Sequence, residues 1–223
     1  MSAKNRPTVN SKLRHHILEM PKEIRTASGI VINGRRIKSL VFTTDIAIIR
    51  NCDADAVLAV YPFTPQQTIS DAIIRNASIP VFCGVGGGTT NGVRSTLLAT
   101  DAEAQGAMAV VVNAPMSNED IERICKFIDI PVVVTVLNEN TDIGGRLAAG
   151  ASILNVSAAE RTPQVVAAIR EKYPDVPIIA TGGPKPEGIL ATVQAGANAI
   201  SYTPPTTKQL FSTMMDDYRA REE

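Results

Sequence analysis

The side chains that could carry chemistry in this 223-residue chain follow short apolar runs, at the points where those runs end. Three of them are carboxylates, Asp45, Glu139 and Glu160. A carboxylate whose pKa is raised by burial can take a proton from a carbon next to a carbonyl group. Glu139 is the strongest candidate for such a base, because Asn138 and Asn140 flank it and could orient a substrate. Each carboxylate could instead be a charge at the start of a helix.

Other reactive side chains are scarce at these positions. No lysine lies at the end of an apolar run, which disfavours an aldolase that forms a Schiff base. The two histidines, His15 and His16, lie near the N-terminus, so no histidine base or His-rich metal site is predicted elsewhere. The three cysteines share no CxxC spacing and fit reduced thiols. We therefore predict neither a metal nor a cofactor, with a metal-assisted hydrolase that uses Asp45 or Glu139 kept as an alternative.

Two glycine-rich segments also follow apolar runs. One contains Gly86, Gly87 and Gly88, and the other is the segment 181–185. Glycine lets backbone N–H groups approach an anion or a carbonyl oxygen because no Cβ stands in the way. Either segment could bind a ligand or simply let the chain turn. Beside these glycines, the side chains predicted to contact substrate are Asn113, Asn138, Asn155, Thr181 and Lys185.

The apolar runs recur with a regular spacing. Two kinds alternate, one that begins with Gly-Ala and one that begins with proline, at Gly106, Gly150 and Gly196 and at Pro80, Pro131 and Pro177. The steps are 44 and 46 residues in the first kind and 51 and 46 residues in the second. A repeat of this length holds two strands and two helices, so four repeats predict a closed (βα)8 barrel, the TIM-barrel fold.

The strands of this barrel can be placed from the continuous apolar runs, which are typical of strands buried on both faces. Eight are predicted, over 38–44, 56–61, 81–84, 109–113, 132–137, 152–157, 178–181 and 199–203. Asn33-Gly34 predicts a β-hairpin over 29–37, which either closes the amino-terminal end of the barrel or is a surface ornament. We expect an N-terminal extension over 1–28, with a short helix over 10–20, and a single barrel domain over 29–223.

The last two repeats resemble known proteins. The segment 178–183, a helical pattern and the segment 195–201 together resemble the seventh and eighth units of the ribulose-phosphate-binding barrel superfamily. In that superfamily, the paired glycines and the segment after strand eight hold a phosphate group. The resemblance implies phosphate-binding positions at Gly182, Gly183, Tyr202 and Thr203. The chain departs from the pattern at Pro204 and Pro205, which lack donor N–H groups, and flavin-binding barrels share the glycine pattern.

Composition excludes several functional classes. Lys plus Arg and Asp plus Glu number 22 each, the aromatic fraction is 4% and there is no Trp, which together disfavour nucleic-acid binding. No apolar run approaches the roughly 20 residues that a transmembrane helix needs, so no membrane partner is predicted. Residues 1–14 lack an apolar signal core, so we expect a cytoplasmic protein.

These observations predict a small enzyme that acts on a phosphorylated sugar or a related oxo acid. Its chemistry would be carboxylate acid–base catalysis, as an isomerase, an epimerase or a lyase. The alternative of another class is a catalytically silent barrel that binds a phosphorylated metabolite and reports it to a partner protein. A small phosphorylated metabolite is the predicted partner in either case, and self-association into a homo-oligomer is left open.

Overall fold

The computed structural model describes Pro7, Val9 and residues 17–222. Within these residues the strands are β1 (Ile30–Ile32), β2 (Arg35–Ile37), β3 (Ser39–Phe42), β4 (Ala56–Ala59), β5 (Val81–Gly86), β6 (Ala109–Val112), β7 (Val132–Val136), β8 (Ile153–Val156), β9 (Ile178–Thr181) and β10 (Ala199–Tyr202). The α-helices are α1 (Ile46–Arg50), α2 (Gln67–Asn76), α3 (Gly92–Ala104), α4 (Asn118–Phe127), α5 (Ile143–Ala148), α6 (Thr162–Lys172), α7 (Pro186–Gln194) and α8 (Thr207–Glu222). Two 3-10 helices cover Lys22–Thr26 and Ala159–Arg161.

Strands β3 to β10 form a closed parallel barrel. They pair in chain order, and β10 pairs with β3 through the register Ser201 to Leu40. The (βα)8 fold and all eight predicted strands are thereby confirmed. None of the helices within the described ranges is both long and apolar enough to cross a bilayer.

The two faces of each barrel strand have different partners. Along β8, for example, Ile153 packs inside the barrel, whereas Leu154 and Val156 pack against the surrounding helices. The same alternation runs through the other strands, so two apolar layers form, one inside the barrel and one between the barrel and the helices. Because side chains alternate with period two, this alternation also decides which residues face into the barrel at its carboxyl end.

The predicted hairpin is present and closes the amino-terminal end of the barrel. Its turn residues, Asn33 and Gly34, have φ angles of 49° and 78°, as a two-residue turn of type I′ requires. Ile30, Ile32 and Ile37 are buried in the same cluster as the side chains inside the barrel. The hairpin is therefore a plug that keeps water from the barrel interior.

The prediction of an N-terminal helix is wrong for residues 17–20, which are not helical. Residues 10–16 lie outside the described part of the chain. Leu18 forms a parallel bridge with Cys52 and donates its N–H to the Asn51 carbonyl at 2.7 Å. The Met20 N–H donates to the Asp53 carboxylate at 2.6 Å. These contacts hold the segment extended, because its backbone donors are used by the loop before β4 rather than within a helix.

Gly34→Val should destabilise the protein, because a β-branched residue is forced to a positive φ at a cost of about 1–3 kcal/mol. A Cβ at this position has no atom within 4 Å, so the effect comes from the backbone alone. We expect the melting temperature, measured by circular dichroism, to fall by roughly 3–8 °C. Gly88→Val is the matched control, since Gly88 also has open space but no positive φ. Equal melting temperatures for the two variants would contradict the turn assignment.

Candidate functional site

The carboxyl ends of the barrel strands carry a group of neutral polar side chains that face inward. These are Thr135 on β7, Asn155 on β8, Thr181 on β9 and Ser201 on β10. The register places Thr135 beside Asn155 and Thr181 beside Ser201. Inward positions nearer the amino-terminal end of these strands are apolar, for example Val133 and Ile179. The barrel interior therefore changes from apolar to polar as it approaches its mouth. Asn155 and Thr181 are among the substrate contacts predicted from sequence.

Asn155 carries an unsatisfied buried acceptor. The residue is 7% exposed, and its Nδ2 donates to the Thr135 hydroxyl at 3.4 Å. Its Oδ1 is buried and has no hydrogen-bond partner among the described residues. Leaving such an acceptor unpaired costs free energy, so the arrangement calls for a donor from a ligand or a water molecule.

A cavity of about 230 Å³ lies on one side of the mouth, over β4, β5 and β6. Gly86, Gly88 and Asn113, which were predicted to contact substrate, line it together with Tyr61 and Thr90. Its size suits a small metabolite rather than a large cofactor. Thr90 was not among the predicted site residues, since nothing in the sequence marks it as buried.

Gly87, the third predicted glycine of this loop, has a structural role. Its φ is 101°, and a Cβ there would lie 2.5 Å from the Asn113 nitrogen. Its N–H donates to the Thr90 carbonyl at 2.7 Å, which closes a tight turn. The loop is therefore built by close backbone approach at Gly87, while Gly88 remains exposed to the cavity.

The predicted phosphate loop lies after β9, across the barrel from this cavity. Gly182 is buried, and a Cβ there would lie 2.8 Å from Ile189 and 2.9 Å from Ile200, so close packing already explains the glycine. Gly183 is exposed with a φ of 72° and open space around it. Of the pair, Gly183 is the one whose backbone is exposed.

The other residues predicted beside the phosphate loop are dispersed. Lys185 is exposed at the N-cap of α7. Tyr202 ends β10 half-buried and packs against the outer apolar layer, which directs it away from the mouth. Thr203 follows it and is exposed, and Pro204 is buried. No helix begins directly after β10, because α8 starts only at Thr207.

Asp45 caps a helix. Its Oδ1 accepts hydrogen bonds from the N–H groups of Ala47 and Ile48, at 2.8 and 3.4 Å. Its other oxygen accepts from the Thr207 hydroxyl, at the start of α8. The Thr207 hydroxyl is the main reason that the pKa of Asp45 lies below its ordinary value, and the two backbone donors act in the same direction. The alternative of a charge at a helix start therefore describes Asp45.

Glu139 lies outside the mouth, in a groove between α5 and α6 that Lys172 and Tyr173 also line. Its side chain is 42% exposed and forms an ion pair with Arg161. A hydrogen bond from its own backbone N–H, followed by the contact with Arg161, holds the pKa of Glu139 below its ordinary value. The expectation of a pKa raised by burial is therefore wrong.

The other predicted site residues near Glu139 either make hydrogen bonds within their own turn or are exposed to solvent. The Asn138 Oδ1 accepts from the Asn140 N–H at 3.0 Å, which closes a turn. Glu160 is exposed in the 3-10 helix Ala159–Arg161. The structure thus does not bring Asp45, Glu139 and Glu160 together at the mouth.

Cys83 is fully buried among the helices, and burial raises the pKa of its thiol to about 12, so it is a packing residue. No three His, Cys, Asp or Glu side chains within the described residues converge where they could hold a metal ion.

Arg146 holds the loop after β6, and the sequence analysis did not identify it. Its guanidinium donates to the Ala114 carbonyl at 2.8 Å, to Asn118 Oδ1 at 2.9 Å and to the Met116 carbonyl. These bonds fix the loop after β6, next to Asn113. No local pattern could have predicted them, because the partners are 28–32 residues away along the chain.

The fold is shared with several solved enzymes. A phosphonopyruvate hydrolase in complex with oxalate and Mg²⁺ matches with a TM-score of 0.64 and 15% identity, over 86% of this chain and 84% of that chain. A phosphoenolpyruvate phosphomutase from Streptomyces platensis subsp. rosaceus gives 0.63 and 12%, over 90% and 84%. A dihydrodipicolinate synthase from Bacillus anthracis gives 0.56 and 16%, over 82% and 76%.

At these identities the likeness shows a shared fold alone. No protein-family model matches the chain. The comparison with curated proteins likewise found no match. The comparisons therefore show the (βα)8 fold, and the function has to be inferred from the chain's own residues.

Asp45→Ala should lower the melting temperature by about 2–4 °C at pH 7, because it removes a helix cap. The folded-state pKa of Asp45 is lowered, so its ionic contribution is present above its unfolded pKa of about 3.9 and is lost as pH falls through the folded value. The difference from wild type should therefore shrink below about pH 4 in melting curves measured across pH. Asp45→Asn, which keeps a capping oxygen, is the control. A difference that stays constant down to pH 2 would contradict the assignment.

Proposed function

We propose that the protein is an enzyme that binds a small phosphorylated oxo acid at the carboxyl end of its barrel and acts on it as an isomerase, an epimerase or a lyase. The observation that carries the proposal is the buried, unpaired Oδ1 of Asn155 among neutral polar side chains at the mouth. Polar residues in a barrel interior cost stability when they are not satisfied, so their presence at the ligand-binding end points to function.

The neutral side chains suit the oxygen atoms of a hydroxy or oxo acid. The Thr135 hydroxyl accepts from Asn155 Nδ2 and keeps its own hydrogen, while Asn155 Oδ1 needs a donor. A ligand with a hydroxyl group beside a carbonyl group would satisfy both. Two of the similar barrels are named for phosphonopyruvate and phosphoenolpyruvate, which are small oxo-acid derivatives that carry phosphorus.

The phosphate group of such a ligand is proposed to lie at Gly183. Its left-handed backbone and open surroundings leave room for an anion, and the first turn of α7 follows closely. Lys185 is exposed at the start of that helix and would add a positive charge. Tyr202 is left out of this proposal because it packs against the outer layer.

A second candidate function is a catalytically silent barrel that binds the same class of metabolite. The lowered pKa values of Asp45 and Glu139 favour it, because neither carboxylate has the raised pKa that suits a general base. The peripheral position of Glu139 in the groove between α5 and α6 favours it as well. The two candidates share the binding site and differ only in turnover.

Asn155→Leu should weaken ligand binding without unfolding the protein, because a buried unpaired acceptor is replaced by an apolar side chain of similar size. We expect the affinity for 3-phosphoglycerate, a phosphorylated acid with a hydroxyl group beside its carboxyl group, to fall by roughly 10-fold in calorimetry while the melting temperature stays the same or rises. Thr192→Val is the control, since Thr192 is equally buried but bonds the Gly188 carbonyl at 2.8 Å within α7. If the wild-type protein bound neither phosphoenolpyruvate nor pyruvate, the proposed ligand class would be wrong.

Glu139→Gln tests the carboxylate chemistry. If Glu139 is the general base, turnover of phosphoenolpyruvate, followed by phosphorus NMR, should fall by roughly 10²–10⁴-fold with little change in binding. Glu122→Gln is the matched control, because Glu122 is also an exposed carboxylate in an ion pair, with Lys126 on α4. Near wild-type turnover in Glu139→Gln would exclude it as the base. A parent protein that binds the ligand without turnover would support the silent barrel instead.

A further inference from the structure

We propose that the cavity over β4, β5 and β6 is a subsite for an uncharged, flat carbonyl group of the ligand, such as a carboxamide or a lactam. The proposal deepens the proposed function and rests on it for the statement that the barrel mouth holds the ligand. The anionic part of that ligand would lie near Gly183, and the uncharged part would lie on the opposite side of the mouth.

The lining of the cavity carries no charged side chain. It consists of apolar residues, glycines, two threonines, one tyrosine and one asparagine. A carboxylate or phosphate placed there would lose its hydration without gaining a cation in return, which is strongly unfavourable. The cavity should therefore select an uncharged group over an anion of the same shape.

Thr90 supplies a polar group at the wall of the cavity. The residue is 4% exposed and lines the cavity, and its hydroxyl is not among the fully buried atoms that lack a partner, so it is open to the cavity. Its backbone is held by the bond from the Gly87 N–H to its carbonyl, so the side chain cannot move away freely. A hydroxyl held at the cavity wall in this way is available to a ligand as donor and as acceptor.

Asn113 and Tyr61 complete the set of polar groups. The Asn113 backbone N–H is bonded to the Gly86 carbonyl at 2.9 Å, whereas its side-chain amide has no partner among the described residues. The Tyr61 hydroxyl accepts from the Gln66 N–H at 2.9 Å and keeps its own hydrogen for donation. An amide side chain offers one donor face and one acceptor face, which a second amide matches reciprocally.

The apolar part of the lining favours a flat group. Pro62 and Phe63 follow Tyr61 at the rim, and Phe63 is 74% exposed. An aromatic ring and a proline ring at the entrance of a small cavity offer flat surfaces against which a planar group can stack. A carboxamide attached to a ring therefore fits both the polar floor and the apolar rim.

Benzamide and benzoate form a matched pair of probes, because they share a ring and differ in the charge of the attached group. We expect saturation-transfer NMR and calorimetry to show benzamide bound at least about 10-fold more tightly than benzoate to the full chain. Gly88→Phe should abolish benzamide binding by filling the cavity, since a Cβ at Gly88 meets no atom within 4 Å. Gly88→Ser, which leaves the cavity open, should retain it.

Thr90→Val provides a second variant that changes the polar floor without filling the cavity. It should lower benzamide affinity by roughly 5-fold, as expected for one lost hydrogen bond. Equal binding of benzamide and benzoate, or binding unaffected by both Gly88→Phe and Thr90→Val, would overturn the subsite. Titrations with phosphoenolpyruvate distinguish failure of the subsite proposal from failure of the proposed function. Selective benzamide binding in a protein that does not bind phosphoenolpyruvate would overturn the proposed function but not the uncharged cavity.

Discussion

Closure of the sheet requires β10, the last strand, to pair with β3, the first strand of the barrel. The Ile200 N–H donates to the Lys38 carbonyl at 2.9 Å, and the register then runs from Ser39 to Val41. Once this pairing is made, the sheet has no free edge and each strand has one face inside the barrel and one against the helices. The inward direction of Thr135, Asn155, Thr181 and Ser201 follows from this alternation, and so does the position of the mouth.

The mouth combines two kinds of surface. One half carries the neutral polar side chains of β7 to β10 and the open backbone of Gly183. The other half has the uncharged cavity over β4 to β6, built by glycines and by the turn that Gly87 closes. Charged residues near the strand ends are used elsewhere, Asp45 as a helix cap and Glu139 in an ion pair.

The fold could be predicted because its signals are local. Continuous apolar runs with a regular spacing give the eight strands, and Asn33-Gly34 gives the hairpin turn. The site could be predicted only in part, because the roles of its residues depend on contacts between distant segments. Asp45 meets Thr207 across 162 residues, and Glu139 meets Arg161 across 22. The burial of Thr90 and the packing of Gly182 against Ile189 and Ile200 are likewise set by tertiary structure, to which a linear pattern is blind.

The contacts of the hairpin have a consequence for the order in which the chain can fold. The Gly29 N–H bonds the Asn198 carbonyl at 2.8 Å, and Asn198 Nδ2 bonds the Ser28 hydroxyl at 2.9 Å across 170 residues. During synthesis from the N-terminus, the hairpin leaves the ribosome long before its partner beside β10 exists. Until then its isoleucines belong to an incomplete barrel. The exposed apolar surface and unpaired strand edges of such an intermediate promote association with other chains. Because the hairpin is held by residues beside β10, the barrel and its plug are complete only after the last strand has been synthesised and paired.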